Sequence, residues 1–501
     1  MPLSNKTRKK TPRKVPLFLS LALTLAAGTS PAGPYSIGEE HTRIRLPDLG
    51  DPSGAVLSPL DEQRLGEAFM REVRSRVSLA DEPEVVSYLN DLGYRLASHG
   101  ESAASGGSTN FTFFIVKDSA INAFAVPGGF IGVNAGLILA TETESELAAV
   151  LAHEIVHVSQ HHAARSMALA KTMHPLAMAG MLAAIIVGTQ SSQAGQAAIT
   201  AVAAGSIQKQ INFTRANEHE ADRLGIGTLF AAGFDPKAMP IFFERLQTAH
   251  RYYSEPPEFL STHPVTVSRI ADSRGRAEQY PYRQYTDSPA YHLVRASLAV
   301  TMEKDPQKSI RTFEDALKNQ KHQNPDGARY GLALASLAAG DWKRARAEIN
   351  KLRKKEPENV TFQARLAEIE LSAGHVQKAI GLYQDALLLY PDNKLLIRGY
   401  ARALLEGNRP GKVIALLDRR DKKRAQDPDL QELLAKAFFH KGEKIAANAA
   451  LAEHYYLNGD LDAAIRQMRM ALKLPEQDYY QSARIEARLQ QFEEEQNLRK
   501  D

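Results

Sequence analysis

The sequence has no cysteine in 501 residues and a single tryptophan, Trp342. Without thiols there are no disulfide bridges, no lipid attachment through cysteine and no thiolate metal site. The fold must therefore rest on its apolar cores and on nitrogen or oxygen ligands. Long apolar runs are also missing, since no stretch reaches the roughly 20 residues that a bilayer-spanning helix needs. A concentrated basic face is lacking too. The net charge of +4 includes six lysines and arginines and no acid within residues 1–33, so the remainder carries −2. Nucleic-acid binding is not expected of such a surface.

What is present suits a folded, multidomain protein. Hydrophobic residues make up 44% and charged residues 24% of the chain, and the length calls for two or three domains. Residues 1–33 read as an export signal. Lys6, Arg8, Lys9, Lys10, Arg13 and Lys14 precede an apolar run from Val15 to about Gly28, and small residues follow at 26–33. An uncleaved anchor is the alternative, and either way the body of the protein leaves the cytoplasm.

Residues 34–59 have the composition of an extended arm. Apolar spacing then predicts helices over Asp61 to Val77 and Pro83 to Leu96, and the run Phe111-Thr-Phe-Phe-Ile-Val116 followed by Asn122 to Val133 predicts a hairpin or small sheet. From Thr143 the pattern becomes helical, with Leu147, Val150, Leu151, Ile155 and Val158 on a buried face. Residues 168–207 are rich in Ala, Gly, Met and Ile. A pair of packed or mobile helices, a lid, or a peripheral membrane contact are the readings open there, because polar residues from Gln190 onward interrupt the apolar stretch.

Beyond about Ser288 the sequence repeats. Gly340 and Gly374 are 34 apart, as are Pro357 and Pro391, and Gly407 and Gly442 continue the spacing approximately. That is the tetratricopeptide period. The turn around Gly459 recurs only 17 residues after Gly442, which gives about four repeats with irregular ends. Trp342, in a repeat turn, is read as packing.

The chemistry centres on His153-Glu154-Ile155-Val156-His157. Two imidazoles four residues apart share a helical face and can ligate one ion, with Glu154 beside them as general base. A catalytic zinc needs a third protein ligand, and Asn217-Glu218-His219-Glu220-Ala221-Asp222 offers Glu218, with Asp222 one turn later to orient a ligating imidazole. A solvated acidic helix face would show the same spacing. His162 is left out of the metal set, since a histidine so placed is more often packed or hydrogen-bonded.

These motifs, with Leu46 to Gly50, Ile121 to Ala125, Gly233 to Pro236, Ser261-Thr-His-Pro264 and Arg269 to Asp272, resemble the periplasmic M48 zinc metallopeptidases that carry tetratricopeptide repeats. The resemblance implies a mainly α fold with a small β-sheet: a signal peptide (1–33), a zincin-type metalloprotease domain (34–285) and an α-solenoid of repeats (286–501). It implies a periplasmic endopeptidase with one Zn2+ per subunit, ligated by His153, His157 and Glu218, with Glu154 as the catalytic base and Asp222 as a supporting acid. By the same resemblance His263 can occupy the zinc's open position and keep the enzyme latent. Arg269 stabilises an oxyanion or makes a structural ion pair, and Asn122, Ala123, Phe124 and Ala125 form an edge strand for substrate. Substrates would be unfolded or stalled outer-membrane β-barrel proteins, and the partner their assembly machinery, met through the repeats. The rival readings are a chaperone-like assembly factor with a largely latent zinc site, and a membrane-embedded protease resting on residues 168–207.

Overall fold

The computed structural model describes residues 58–100, 110–163, 165, 204–252, 257–320, 324–417, 426–475 and 479–498. The export signal, the arm that follows it as far as Leu57, and all of residues 168–207 before Ala204 lie outside that set. Among the described residues no helix is long and apolar enough to cross a membrane.

Helix α1 (Pro59–Arg76) begins where Ser58 accepts a hydrogen bond from the Asp61 amide and Pro59 takes the first turn. Acids sit at its start and Arg74 and Arg76 at its end, complementing the helix dipole. Helix α2 (Pro83–Ala97) buries Val85, Leu89, Leu92 and Leu96. The expected small sheet follows: β1 (Thr112–Val116), β2 (Ala123–Val126) and β3 (Phe130–Asn134), in the order β1-β3-β2. β1 runs parallel to β3, and β2 forms an antiparallel hairpin with it, pairing Phe124 with Gly132. The hairpin turn is tight because Gly128 and Gly129 adopt φ of 82° and 85°, and a Cβ at Gly129 would lie 2.1 Å from the Asn110 carbonyl. β2 is thereby left as an edge strand.

After α3 (Ala135–Ala140) comes α4 (Glu144–Ser159), capped by Thr143, whose side chain accepts from the Glu146 amide. Every residue of α4 from Glu144 to Val156 is buried. Its acidic first turn is paid for by partners: Tyr88 and Ser288 hydroxyls donate to Glu144, and Arg245 donates to Glu146. Around α4 pack α2, β2, α5 (Ala204–Ala231) and α6 (Ala238–Tyr252). Helix α5 comes close because Gly225 faces the α4 backbone: a Cβ there would lie 3.4 Å from the His153 nitrogen and 3.1 Å from the Met239 methyl. Short α7 (Glu258–Thr262) and α8 (Val267–Ala277) complete the layer.

Helix α9 (Pro289–Met302) contributes Tyr291, Val294 and Leu298 to the same core as α4, and residues 50–501 form one compact unit. Antiparallel helices then succeed one another to the C-terminus, from α10 (Pro306–Lys318), α11 (Pro325–Ala338) and α12 (Trp342–Lys355) through α13 (Val360–Ser372), α14 (Val376–Leu389), α15 (Lys394–Glu406) and α16 (Pro410–Leu416). They end with α17 (Pro428–His440), α18 (Lys444–Leu457), α19 (Leu461–Leu472) and α20 (Tyr479–Leu498). The turns between paired helices contain a left-handed residue at Gly340, Gly374, Asn408 and Gly442, each 34 after the last. The repeat register is therefore kept by Asn408 rather than by Gly407, because asparagine tolerates positive φ better than most residues. The array curls back on the catalytic layer. Arg74 donates to the Leu457 carbonyl at 3.0 Å, Arg71 pairs with Glu495 at 2.8 Å, and Arg398 pairs with Asp81 at 2.9 Å.

Candidate metal centre

Helix α4 presents His153, Glu154 and His157; α5 presents Glu218 and Asp222; the loop after α7 presents His263; and α8 presents Arg269. One ligand atom from each of His153, His157, Glu218 and His263 falls in a cluster whose members all lie within 4.8 Å of one another. His153 Nε2 and His157 Nε2 are 3.0 Å apart, and they stand 3.3 and 3.4 Å from the two Glu218 oxygens. His263 Nδ1 is 3.4 Å from His153 Nε2 and 3.1 Å from Glu218 Oε1. Tetrahedral bonds of about 2.0–2.1 Å put ligand atoms about 3.3 Å apart. These five contacts of 3.0–3.4 Å are close to the edges of such a coordination shell, and three imidazoles with one carboxylate are a donor set that suits a borderline metal ion.

Electrostatics fit that reading. Burial pushes His157 down to about 3, so it is neutral and has a lone pair to offer. Burial also opposes charge on His153, yet contact with Asp222 and Glu218 raises it to about 9, so a metal ion would bind there by displacing a proton. Glu218, although buried, is held well below the usual carboxylate range by His263, His153 and His157. A carboxylate kept ionised among imidazoles in a dry site is in the state a cation requires.

Glu154 behaves differently. It is 1% exposed, neither of its oxygens has a hydrogen-bond partner among the described residues, and burial raises its pKa. Its Oε1 lies 3.4 Å from His263 Nε2, on the cleft side of the cluster. A buried carboxylate without a hydrogen bond is unusual unless chemistry uses it.

Asp222 and Arg269 lie behind the ligands. Asp222 Oδ1 is 3.0 Å from His153 Nδ1, the nitrogen turned away from the cluster. Arg269 donates to both Asp222 oxygens at 2.7 and 2.8 Å, reaches Glu218 at 2.8 Å and donates to the Pro264 carbonyl at 2.9 Å. Of the two roles expected for Arg269, its geometry supports the ion pair, since its donors are turned to these acceptors. Ala123, Phe124 and Ala125 lie on edge strand β2, with Phe124 to Gly128 along the cleft of about 290 Å³. Asn122 precedes the strand and donates to Glu258 at 2.9 Å, fastening β2 to α7 and so to the His263 loop. His162 is outside the ligand cluster, as read from the sequence, but it touches His157: their Nδ1 atoms are 2.9 Å apart. No sequence motif marks Glu220, which holds His162, or Arg165, which donates to Glu220.

The model of peptidase family M48 matches residues 85–277, which contain this cluster, and tetratricopeptide-repeat models match 293–359, 330–394 and 370–437. The beta-barrel assembly-enhancing protease of Escherichia coli (strain K12) is 36% identical over 448 residues, spanning 89% of this chain and 91% of the relative. The chain belongs to the M48 metallopeptidases. A putative beta-barrel assembly-enhancing protease of Vibrio cholerae is also 36% identical, over 94% of this metallopeptidase and 96% of the relative. The mitochondrial metalloendopeptidase OMA1 of Schizosaccharomyces pombe is 30% identical over 34% of this chain and 47% of its own length. The metallopeptidase is thus a metalloendopeptidase with a helical-repeat array, as its sequence implied.

Proposed function

We propose that this metallopeptidase is a periplasmic, zinc-dependent endopeptidase acting in the quality control and assembly of outer-membrane proteins. The observation that carries the catalytic part is the orphaned Glu154 carboxylate beside a four-donor cluster of tetrahedral dimensions. His153, His157 and Glu218 hold one zinc ion per chain, which supplies Lewis acidity toward a peptide carbonyl and lowers the pKa of water to about 7. Glu154 takes a proton from the attacking water and returns it to the leaving amine, a role helped by its raised pKa. Asp222 orients His153, and Arg269 holds Asp222 and Glu218 in place.

His263 keeps the enzyme latent. Its Nδ1 takes the fourth corner of the cluster while Nε2 faces Glu154, so the loop after α7 covers ligand and base together. Substrate adds to the free edge of β2 through main-chain hydrogen bonds, which makes selection tolerant of sequence. Residues 34–285 supply the chemistry, and 286–501 meet unfolded or stalled substrates and the assembly machinery; residues 1–33 direct export. The names of the bacterial relatives support the physiological part. A chaperone-like role with a largely latent site is the second reading, favoured by the seating of His263 in the cluster.

Cleavage of casein by the mature chain tests both. Glu154→Gln abolishes cleavage and His263→Ala raises it if the enzyme is a latent protease. No cleavage by any form, His263→Ala included, sinks the protease reading in favour of the assembly factor.

A further inference from the structure

Helix α4 ends at Ser159, and His161 turns the chain with a left-handed φ of 50°. That reversal brings the buried His162 ring back against the outer face of His157, with the rings 4.8 Å apart and nearly perpendicular. On its far side His162 Nε2 is 3.1 Å from Glu220 Oε2, to which Arg165 also donates at 3.0 Å. The result is a chain of contacts from Arg165 through Glu220 and His162 to His157, separate from the Asp222 and Arg269 pair behind His153.

A contact between two imidazole nitrogens needs one donor and one acceptor, and the two ends of this chain agree on which is which. An ionised carboxylate only accepts, so His162 carries its proton on Nε2 and donates it to Glu220. The neutral ring then offers a lone pair at Nδ1. At 2.9 Å from that lone pair, His157 Nδ1 is placed to donate its proton whenever Nε2 is the ligating nitrogen. The other nitrogen of His157, Nε2, is left with its lone pair aimed into the cluster of Glu218 and His153. The opposite tautomer would place an N–H toward the cluster and prevent ligation.

We infer that His162, held by Glu220, is a positioning residue that selects the ligating tautomer of His157 and fixes its ring. The inference rests on His157 being a metal ligand. The two histidine ligands are then backed differently, His153 by an anion and His157 by a neutral ring. The anion strengthens its ligand's basicity, whereas the neutral ring sets orientation without adding charge.

The test uses the full mature chain, stripped of metal and titrated with zinc against a competing chelator, and separately with cobalt for its absorption bands. His162→Leu fills the space but accepts no proton, and it weakens zinc binding about 10–100-fold and alters the cobalt spectrum. His162→Asn can place Oδ1 where Nδ1 stood and recovers most of the affinity. Glu220→Gln still offers an accepting oxygen to His162 and stays within a few-fold of wild type. Wild-type affinity and an unchanged cobalt spectrum in folded His162→Leu overturn the inference, as does a folded His162→Asn no better than His162→Leu. His157→Ala is the separate control: zinc binding that survives it overturns the ligand reading itself, and the inference with it.

Discussion

Glu218 and Asp222, one turn apart on α5, are ionised in the same dry environment and have different duties. Glu218 faces the ligand cluster, while Asp222 faces the back of His153 and the fork of Arg269. Arg269 is 2% exposed, and its removal leaves two buried carboxylates short of their cation. Arg269→Met is expected to destabilise the metal-free protein by about 3–5 kcal/mol, and less when metal neutralises Glu218. Thermal unfolding with and without chelator measures the difference, and equal losses in both conditions would contradict the assignment. Glu154→Gln, by contrast, is expected to retain metal while cleavage falls at least about 10²-fold, read by metal analysis beside a peptidase assay. At this scale the sequence was legible wherever a helix set the spacing: His153 with His157, and Glu218 with Asp222. It was not legible for His162 and Glu220, because a left-handed turn at His161, rather than helical period, brings His162 to His157 and within reach of Glu220.

Among the elements, the crossing of α4 and α5 is the one the site depends on, since it carries every proposed ligand except His263. The crossing is close because position 225 has no side chain. Gly225→Val should push the helices apart, cost about 1–3 kcal/mol and weaken metal binding, whereas Gly275→Ala, with nothing within 4 Å of its Cβ, should do neither. Denaturation and zinc titration of the two variants compare them directly. In the repeats, Glu370 at the end of α13 is fully buried and accepts from Arg346 at 2.6 Å, His375 at 2.7 Å and Lys378 at 2.9 Å. Arg346 foremost lowers its pKa to about 2. Its folded-state value lies below the unfolded one, so its stabilisation is present above about pH 4.3 and fades as pH falls toward about 2. Glu370→Gln is expected to lower stability by about 1–3 kcal/mol at pH 7, with the gap to wild type narrowing on acidification through that window; a pH-independent gap would refute the pairing. Helices and the hairpin were readable from period and turn residues. The repeat register was readable only approximately, because Asn408 takes a position the eye assigns to glycine.

On the scale of the whole molecule, the repeats do not hang free of the catalytic layer. Helix α9 shares the catalytic core, and α1 joins two distant regions: Glu62 near its start contacts His161 beside the cleft, while Arg71 and Arg74 near its end hold α18 and α20. Gly459 makes the second contact possible, since a Cβ there would lie 2.0 Å from the Arg71 carbonyl and its φ is 84°. Gly459→Ala is expected to release the terminal helices, seen as faster proteolysis within residues 444–498 while the core around α4 stays resistant. No local pattern in the sequence announces contacts between residues 383 positions apart, whereas the division into a metallopeptidase and a repeat array was visible from motif and period.

In the proposed site one zinc ion is held by His153, His157 and Glu218, and His263 closes the fourth corner. X-ray absorption at the zinc edge of the full mature chain counts its imidazoles most directly. The expected result is one zinc per chain with three imidazoles in the wild type and two in His263→Ala; two imidazoles in both would rule out the latent arrangement, and a chain that binds no zinc would rule out the site itself.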